Sequence, residues 1–112
     1  MTLEDWSDDI VLVELEQDPA FSDELAALMT KLEAKPSHVV LNFSQLHFIN
    51  SSNISRLLRL RKALAEKNKR LILCAATSQV WGAFIVTGLD KVFEFTKDVM
   101  TALAGIQISA KM

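Results

Sequence analysis

The sequence predicts one α/β domain built on a mixed, mainly parallel sheet, with the element order β-β-α-β-α-β-α-β-α. Three observations carry this expectation. Short apolar runs alternate with longer amphipathic segments, the pattern of parallel strands joined by crossover helices. The 112 residues leave room for one domain and no second. Half of them are hydrophobic and 23% are charged, a globular composition in a chain long enough to bury roughly two-thirds of its unfolded surface.

The elements follow in order. A short first strand is expected over residues 3–6, and Ser7-Asp8-Asp9 supplies turn chemistry after it. Residues 10–15 form a mostly apolar, β-branched run and read as the second strand. Gln17-Asp18-Pro19 ends it. Phe21, Leu25, Leu28 and Leu32 then recur at helical spacing, with acidic and small residues in the gaps, so a helix is expected over residues 20–34. Lys35-Pro36-Ser37 stops that helix. Residues 39–43 are a short run bounded by turn residues and read as a buried strand.

Leu46, Phe48 and Ile49 bring the chain back inside, and four small polar residues follow, Asn50-Ser51-Ser52-Asn53. A helix is expected over residues 52–68, with Ile54, Leu57, Leu58, Leu60 and Leu64 apolar and Arg56, Arg59 and Lys62 polar. Residues 70–75 form the next buried strand. Thr77 or Ser78 can cap a helix carrying Val80, Trp81, Phe84 and Ile85, which Gly88 closes in the left-handed conformation. Residues 92–95 read as the last strand. Thr96 or Asp98 starts a final helix with Val99, Leu103 and Ile106 on one face. Strands 39–43, 70–75 and 92–95 are expected to be adjacent and parallel.

Composition excludes several classes of function. The single cysteine, Cys74, rules out an intrachain disulfide and reads as an inert core thiol. The two histidines, His38 and His47, lie too far from other ligands to make a zinc cluster, so no metal and no cofactor are expected. A formal net charge of -2 argues against a nucleic-acid partner. The first residues have neither a basic stretch nor an apolar core, and no apolar run reaches the ~20 residues of a membrane span. The expected compartment is the cytoplasm, with no membrane insertion. No Gly-rich phosphate loop and no nucleophile elbow is present. Both histidines read as surface imidazoles, and no nucleophile, base and orienting acid are grouped, so no catalytic residue is assigned.

The polar knot 50–53 is the most informative segment. It sits between a buried strand and a helix, where a serine can serve as the N-cap. The same position tolerates a phosphate, because free N–H groups and the helix dipole favour a dianion there. The stripe Arg56, Arg59 and Lys62 reads as a solvated helix face or as a docking face for an acidic partner.

Residues 39–54, Val-Val-Leu-Asn-Phe-Ser-Gln-Leu-His-Phe-Ile-Asn-Ser-Ser-Asn-Ile, resemble the central signature of STAS domains. In that family an apolar strand and a short loop lead to Asp-Ser-Ser-Gly-Leu or Asp-Thr-Ser-Gly-Leu at the start of a helix. Residues 70–75, 80–89 and 92–95 look like the rest of the domain, so the resemblance covers nearly the whole chain. It implies a STAS-like single domain, with a mixed sheet and helices, that binds rather than catalyses. Relatives of the anti-sigma-factor-antagonist type bind an anti-sigma factor that is also a serine kinase, and phosphorylation of a serine at the helix start breaks that complex.

By position, Ser52 matches the phosphorylated residue and Ser51 is its neighbour. The implied partner surface comprises Asn50, Ser51, Ser52, Asn53, Ile54, Arg56 and Arg59. The expected partner is a protein, an anti-sigma factor or serine kinase. Asn50 stands where the family commonly has Asp, and Asn53 where it has Gly. The Gly-Glu-Leu-Asp type motif of the family is not recognisable in residues 14–18. Alternative readings are a STAS subunit of a lipid-transport ATPase or signalling assembly, and a small nucleotide-binding or flavodoxin-like domain.

Overall fold

A five-stranded sheet in the order β1-β2-β3-β4-β5 organises the chain in a computed structural model that describes residues 2–111. β1 (Thr2–Ser7) and β2 (Ile10–Glu14) form an antiparallel hairpin with a slip in register between Asp5 and Ser7. β3 (His38–Asn42), β4 (Leu71–Cys74) and β5 (Glu94–Thr96) then add in parallel, one beside the next. The expected adjacency of the three central runs is therefore observed. Helices α1 (Ala20–Ala34), α2 (Ser51–Glu66), α3 (Ser78–Val86) and α4 (Val99–Lys111) make the connections and close the chain.

Strand side chains alternate between two faces, and both are covered, as parallel strands require. Val11, Val13, Val39, Leu41, Leu71 and Leu73 point to one side, where Phe21, Leu28, Leu57, Leu60 and Phe84 from α1, α2 and α3 pack on them. Ile10, Val40, Ile72 and Cys74 point to the other, under Ala102, Leu103 and Ile106 of α4 alone. Cys74 is fully buried, which pushes its thiol up to about 11. Among the described residues no helix is long and apolar enough to cross a membrane.

The helix ends show which side chains do the capping. Thr77 accepts the Val80 N–H at 3.3 Å and starts α3, and Gly88, at φ 74°, follows its end. Asp98 accepts the Thr101 N–H at 2.8 Å and starts α4. α2 stops two residues earlier than the apolar spacing suggests. Asn68 adopts a left-handed φ of 60°, and Lys69 donates its N–H back to the Leu64 carbonyl at 2.9 Å, so the chain turns off the helix axis there.

The last strand is also displaced from the expected 92–95. Leu89–Lys91 forms a 3-10 turn, and the N–H groups of Val92 and Phe93 return to the Leu89 carbonyl at 3.0 and 3.3 Å. Phe93 thus reaches the core from a turn, and pairing begins only at Glu94. Arg70 braces this edge by hydrogen-bonding the Glu94 carboxylate and the Gly105 carbonyl.

Candidate functional site at the start of the second long helix

β3 ends at Asn42, and a loop over residues 43–50 carries the chain over the carboxyl end of the sheet into α2. Loops at this edge are where open α/β sheets hold their binding groups. Phe43 and Leu46 are buried and anchor the loop from below. His47 and Phe48 are exposed, Phe48 strongly so for a large apolar residue at 61%.

A second loop clamps the first. Gln17, just after β2, accepts the N–H groups of His47 and Phe48 at 2.6 and 3.1 Å through Oε1, and its Nε2 donates to the Phe48 carbonyl at 3.2 Å. Asp18 beside it accepts the backbone N–H and the hydroxyl of Ser22 at 3.0 and 2.6 Å, which fixes the start of α1. Its other oxygen accepts Asn53 Nδ2 at 2.9 Å. The Ser22 hydroxyl and the Asn53 amide hold the Asp18 carboxyl below its ordinary value. One exposed carboxylate thus ties the starts of two helices together.

The N-cap of α2 is Asn50, not a serine. Asn50 Oδ1 accepts the Asn53 N–H at 2.8 Å, and Asn53 Oδ1 accepts the Asn50 N–H at 3.1 Å, a reciprocal capping box. The asparagines prevail because only the residue just before the first helical turn can reach N3, and Ser51 already lies inside that turn. The expectation that one serine serves as the cap is corrected accordingly. Asn53 is also corrected as a surface contact. It is 2% exposed, and its side chain is used internally by Asn50 and Asp18.

The consequence concerns the serines. Ser51 and Ser52 are exposed on the first turn, and their hydroxyls have no hydrogen-bond partner among the described residues. Ile54 is half-buried, and Arg56 and Arg59 are exposed on the following turns. Ser52 and Arg56 are four residues apart and share a helix face. Arg56 and Arg59 also line a cavity of about 190 Å³ between α1 and α2, floored by Leu25, Met29 and Leu60. The structure therefore places Asn50, Ser51, Ser52, Ile54, Arg56 and Arg59 along one helix start, with Asn53 beneath them.

Sequence reasoning missed Gln17 and Asp18. Their partners lie 30 to 35 residues away, and no local spacing announces them. The histidines do not join the site as a reactive group. His38 is half-buried, not a free surface imidazole, and its Nδ1 accepts the Arg70 N–H at 2.9 Å. Burial, with help from Lys69, lowers its pKa. Among the described residues no three metal-ligating side chains converge.

The profile of the STAS domain family matches residues 8–102 of the chain. The chain belongs to the STAS domain family. Solved STAS folds agree with it over almost their whole length. The anti-sigma factor antagonist SpoIIAA in its unphosphorylated form superposes with a TM-score of 0.81 at 21% identity, covering 95% of this chain and 95% of that one. The phosphorylated form of the Bacillus cell fate determinant SpoIIAA gives 0.73 at 20% identity, with 94% and 97% covered. A single-substitution variant of Moorella thermoacetica RsbS gives 0.85 at 16% identity, with 99% and 97% covered. At these identities the likeness is one of fold, and it places this domain in the SpoIIAA-like arrangement of five strands and four helices.

Proposed function

We propose that this STAS domain is a regulated protein-binding module of the anti-sigma-factor-antagonist type, with its partner docking at the start of α2. It acts by binding and not by catalysis, in the cytoplasm, and the partner is an anti-sigma factor or serine kinase. The observation that carries the reading is the pair of exposed serines whose capping work is done by Asn50 and Asn53. A structural cap has a stability reason to be a serine; these two do not. That a relative of the same fold is known in phosphorylated and unphosphorylated forms adds support.

Ser52 is the regulatory position, through charge. A phosphate there sits at the positive end of the α2 dipole, one turn from Arg56, so the fold holds it. Docking would still desolvate the dianion and would compete with it for Arg56, which weakens the complex. Native-lysate capture with the Ser52→Ala protein identifies the partner, whose affinity is then measured for each variant. Ser52→Asp is expected to bind about tenfold or more weakly, a loss of about 1.4 kcal/mol, while Ser52→Ala stays within about twofold of wild type. Equal affinities for two folded variants reduce Ser52 to an ordinary surface residue.

Arg56 and Arg59 sit at the rim of this surface. Rim charges act mainly on encounter, so Arg56→Glu is expected to slow association and to flatten or invert its salt dependence. Stopped-flow association at two ionic strengths reads this directly. An unchanged on-rate and salt slope for Arg56→Glu and Arg59→Glu would move the surface elsewhere.

A further inference from the structure

α1 and α2 lie side by side on one face of the sheet, and the seam between them is not closed on its outer side. Two cavities lie along it, of about 190 Å³ and about 80 Å³, and Met29 borders both. Leu25 and Leu60 floor the first, Leu32 and Leu64 the second. Ala26 on α1 and Ala63 on α2 stand at the seam where longer side chains would fill it. Met29 is half-buried and unbranched, a side chain that can shift to join the two spaces. From Arg56 to Lys67 is about 16 Å along α2. That is comparable with the ~15 Å that the acyl chains of one bilayer leaflet occupy.

The two ends of the seam differ in charge. Arg56 and Arg59 border the first cavity, and neither guanidinium makes a hydrogen bond or ion pair among the described residues. Asp18, whose carboxyl feels the charge of Arg56, is engaged with Ser22 and Asn53 instead. Among the described residues no acidic side chain borders this first cavity. At the far end Glu33 and Lys67 border the second with opposite charges. Mostly apolar walls with a few charged groups gathered at one end are the composition of a small-molecule site. The guanidinium fork matches a carboxylate in geometry. A neutral lipid leaves the two charges unanswered, and a bare phosphate leaves the apolar floor unanswered. A helix of a protein partner, about 10 Å across, cannot enter cavities of this size, whereas a single alkyl chain can.

We infer that the seam between α1 and α2 binds a single-chain fatty carboxylate, its head on Arg56 and Arg59 and its tail running past Met29 toward Leu32 and Leu64. This site is separate from partner docking at Ser52 and stands or falls without it.

Calorimetric titration of the full chain with monomeric dodecanoate, followed in parallel by the methyl resonance of Met29, tests it. Saturable binding is expected with a dissociation constant on the order of 10–100 μM, and the Met29 resonance is expected to shift with the same midpoint. Octanoate is expected to bind at least about tenfold more weakly, because each buried methylene is worth severalfold in affinity. Combining Arg56→Gln with Arg59→Gln is expected to weaken dodecanoate by about tenfold or more. The uncharged glycerol ester of the same acid is expected to bind the wild type more weakly and to be indifferent to both substitutions. Ala26→Phe, at an exposed position, fills the first cavity and is expected to abolish dodecanoate binding with little change in the thermal melt. Ala63→Met fills the second and is expected to weaken dodecanoate more than octanoate. The absence of heat and of a Met29 shift up to about 1 mM dodecanoate overturns the inference. So does binding that ignores chain length, the two arginines or both filling substitutions. Binding to phosphatidylglycerol vesicles without a response to monomeric dodecanoate also overturns it, and would assign Arg56 and Arg59 to a membrane surface.

Discussion

Replacing Asn53 with alanine is expected to destabilise the domain by about 3 kcal/mol, although the residue sits in a polar segment near the surface. The side chain is 2% exposed and makes two hydrogen bonds, one to the Asn50 N–H and one to the Asp18 carboxylate. A neutral bond of this kind is worth about 1 kcal/mol and one to a charged group about 1.5–3 kcal/mol. The loss also leaves the Asn50 N–H without its acceptor and unties the start of α2 from Asp18.

Asn50→Ala removes only the cap and is expected to cost about 1 kcal/mol. The double variant should cost less than the sum, because the two residues share their bonds. Denaturant unfolding at neutral pH measures all three. The Asp18 arm has its own signature: its carboxyl is held below the ordinary 3.8, so its contribution is complete above that value and is lost as the pH falls through the lowered one. The gap between wild type and Asn53→Ala should therefore narrow in strong acid. An Asn53→Ala protein within about 0.5 kcal/mol of wild type at pH 7 would mean that the two loops are held by other contacts.

The architecture was legible wherever a local period or a local stop signal carries the information. Residues 39–43 and 70–75 read as buried strands because both faces of a central parallel strand are apolar, and they are found paired and parallel. Thr77, Asp98 and Gly88 act as the helix boundaries that their side chains, or lack of one, suggest. What failed was information held across distance or by small energy differences. The run 92–95 has strand composition, yet the 3-10 turn over Leu89–Lys91 draws Val92 and Phe93 out of the ladder.

At the site, the location and the exposed serines were legible, whereas the division of labour was not. Asparagine and serine have nearly equal capping preference, so four such residues in a row leave the cap open by a position or two. The hold of Gln17 and Asp18 on the loop is a tertiary fact with no local pattern. One missed residue did leave a signal. Glu24 lies three residues after Phe21 and four before Leu28, which puts it inside the apolar stripe of α1 and not in the gaps where its neighbours Asp23 and Ala26 sit.

That glutamate supplies the other large effect: Glu24→Gln is expected to stabilise the domain by about 3 kcal/mol at pH 8 and by almost nothing near pH 4. Glu24 is 4% exposed, and neither carboxylate oxygen has a hydrogen-bond partner among the described residues. Burial, reinforced by the charges of Glu16, Glu14 and Asp23, pushes its pKa from 4.5 up to about 7. A folded pKa above the unfolded one means that the native state binds the proton more tightly. Stability from this group is therefore full below the unfolded value, falls as the pH rises between 4.5 and about 7, and is gone above it. The amide mimics the protonated acid and cannot ionise, so the variant escapes the loss. His38 works the other way over part of the same range, because its lowered pKa means that stability is lost as the pH falls below its unfolded value. For that reason the informative quantity is the difference between the Glu24→Gln and wild-type proteins at each pH, in which the histidine cancels. Urea midpoints at pH 4, 6 and 8 measure it. A difference that stays flat across that range, or wild-type stability equal to that of Glu24→Gln at pH 8, would show that the carboxylate is paired or hydrated in solution.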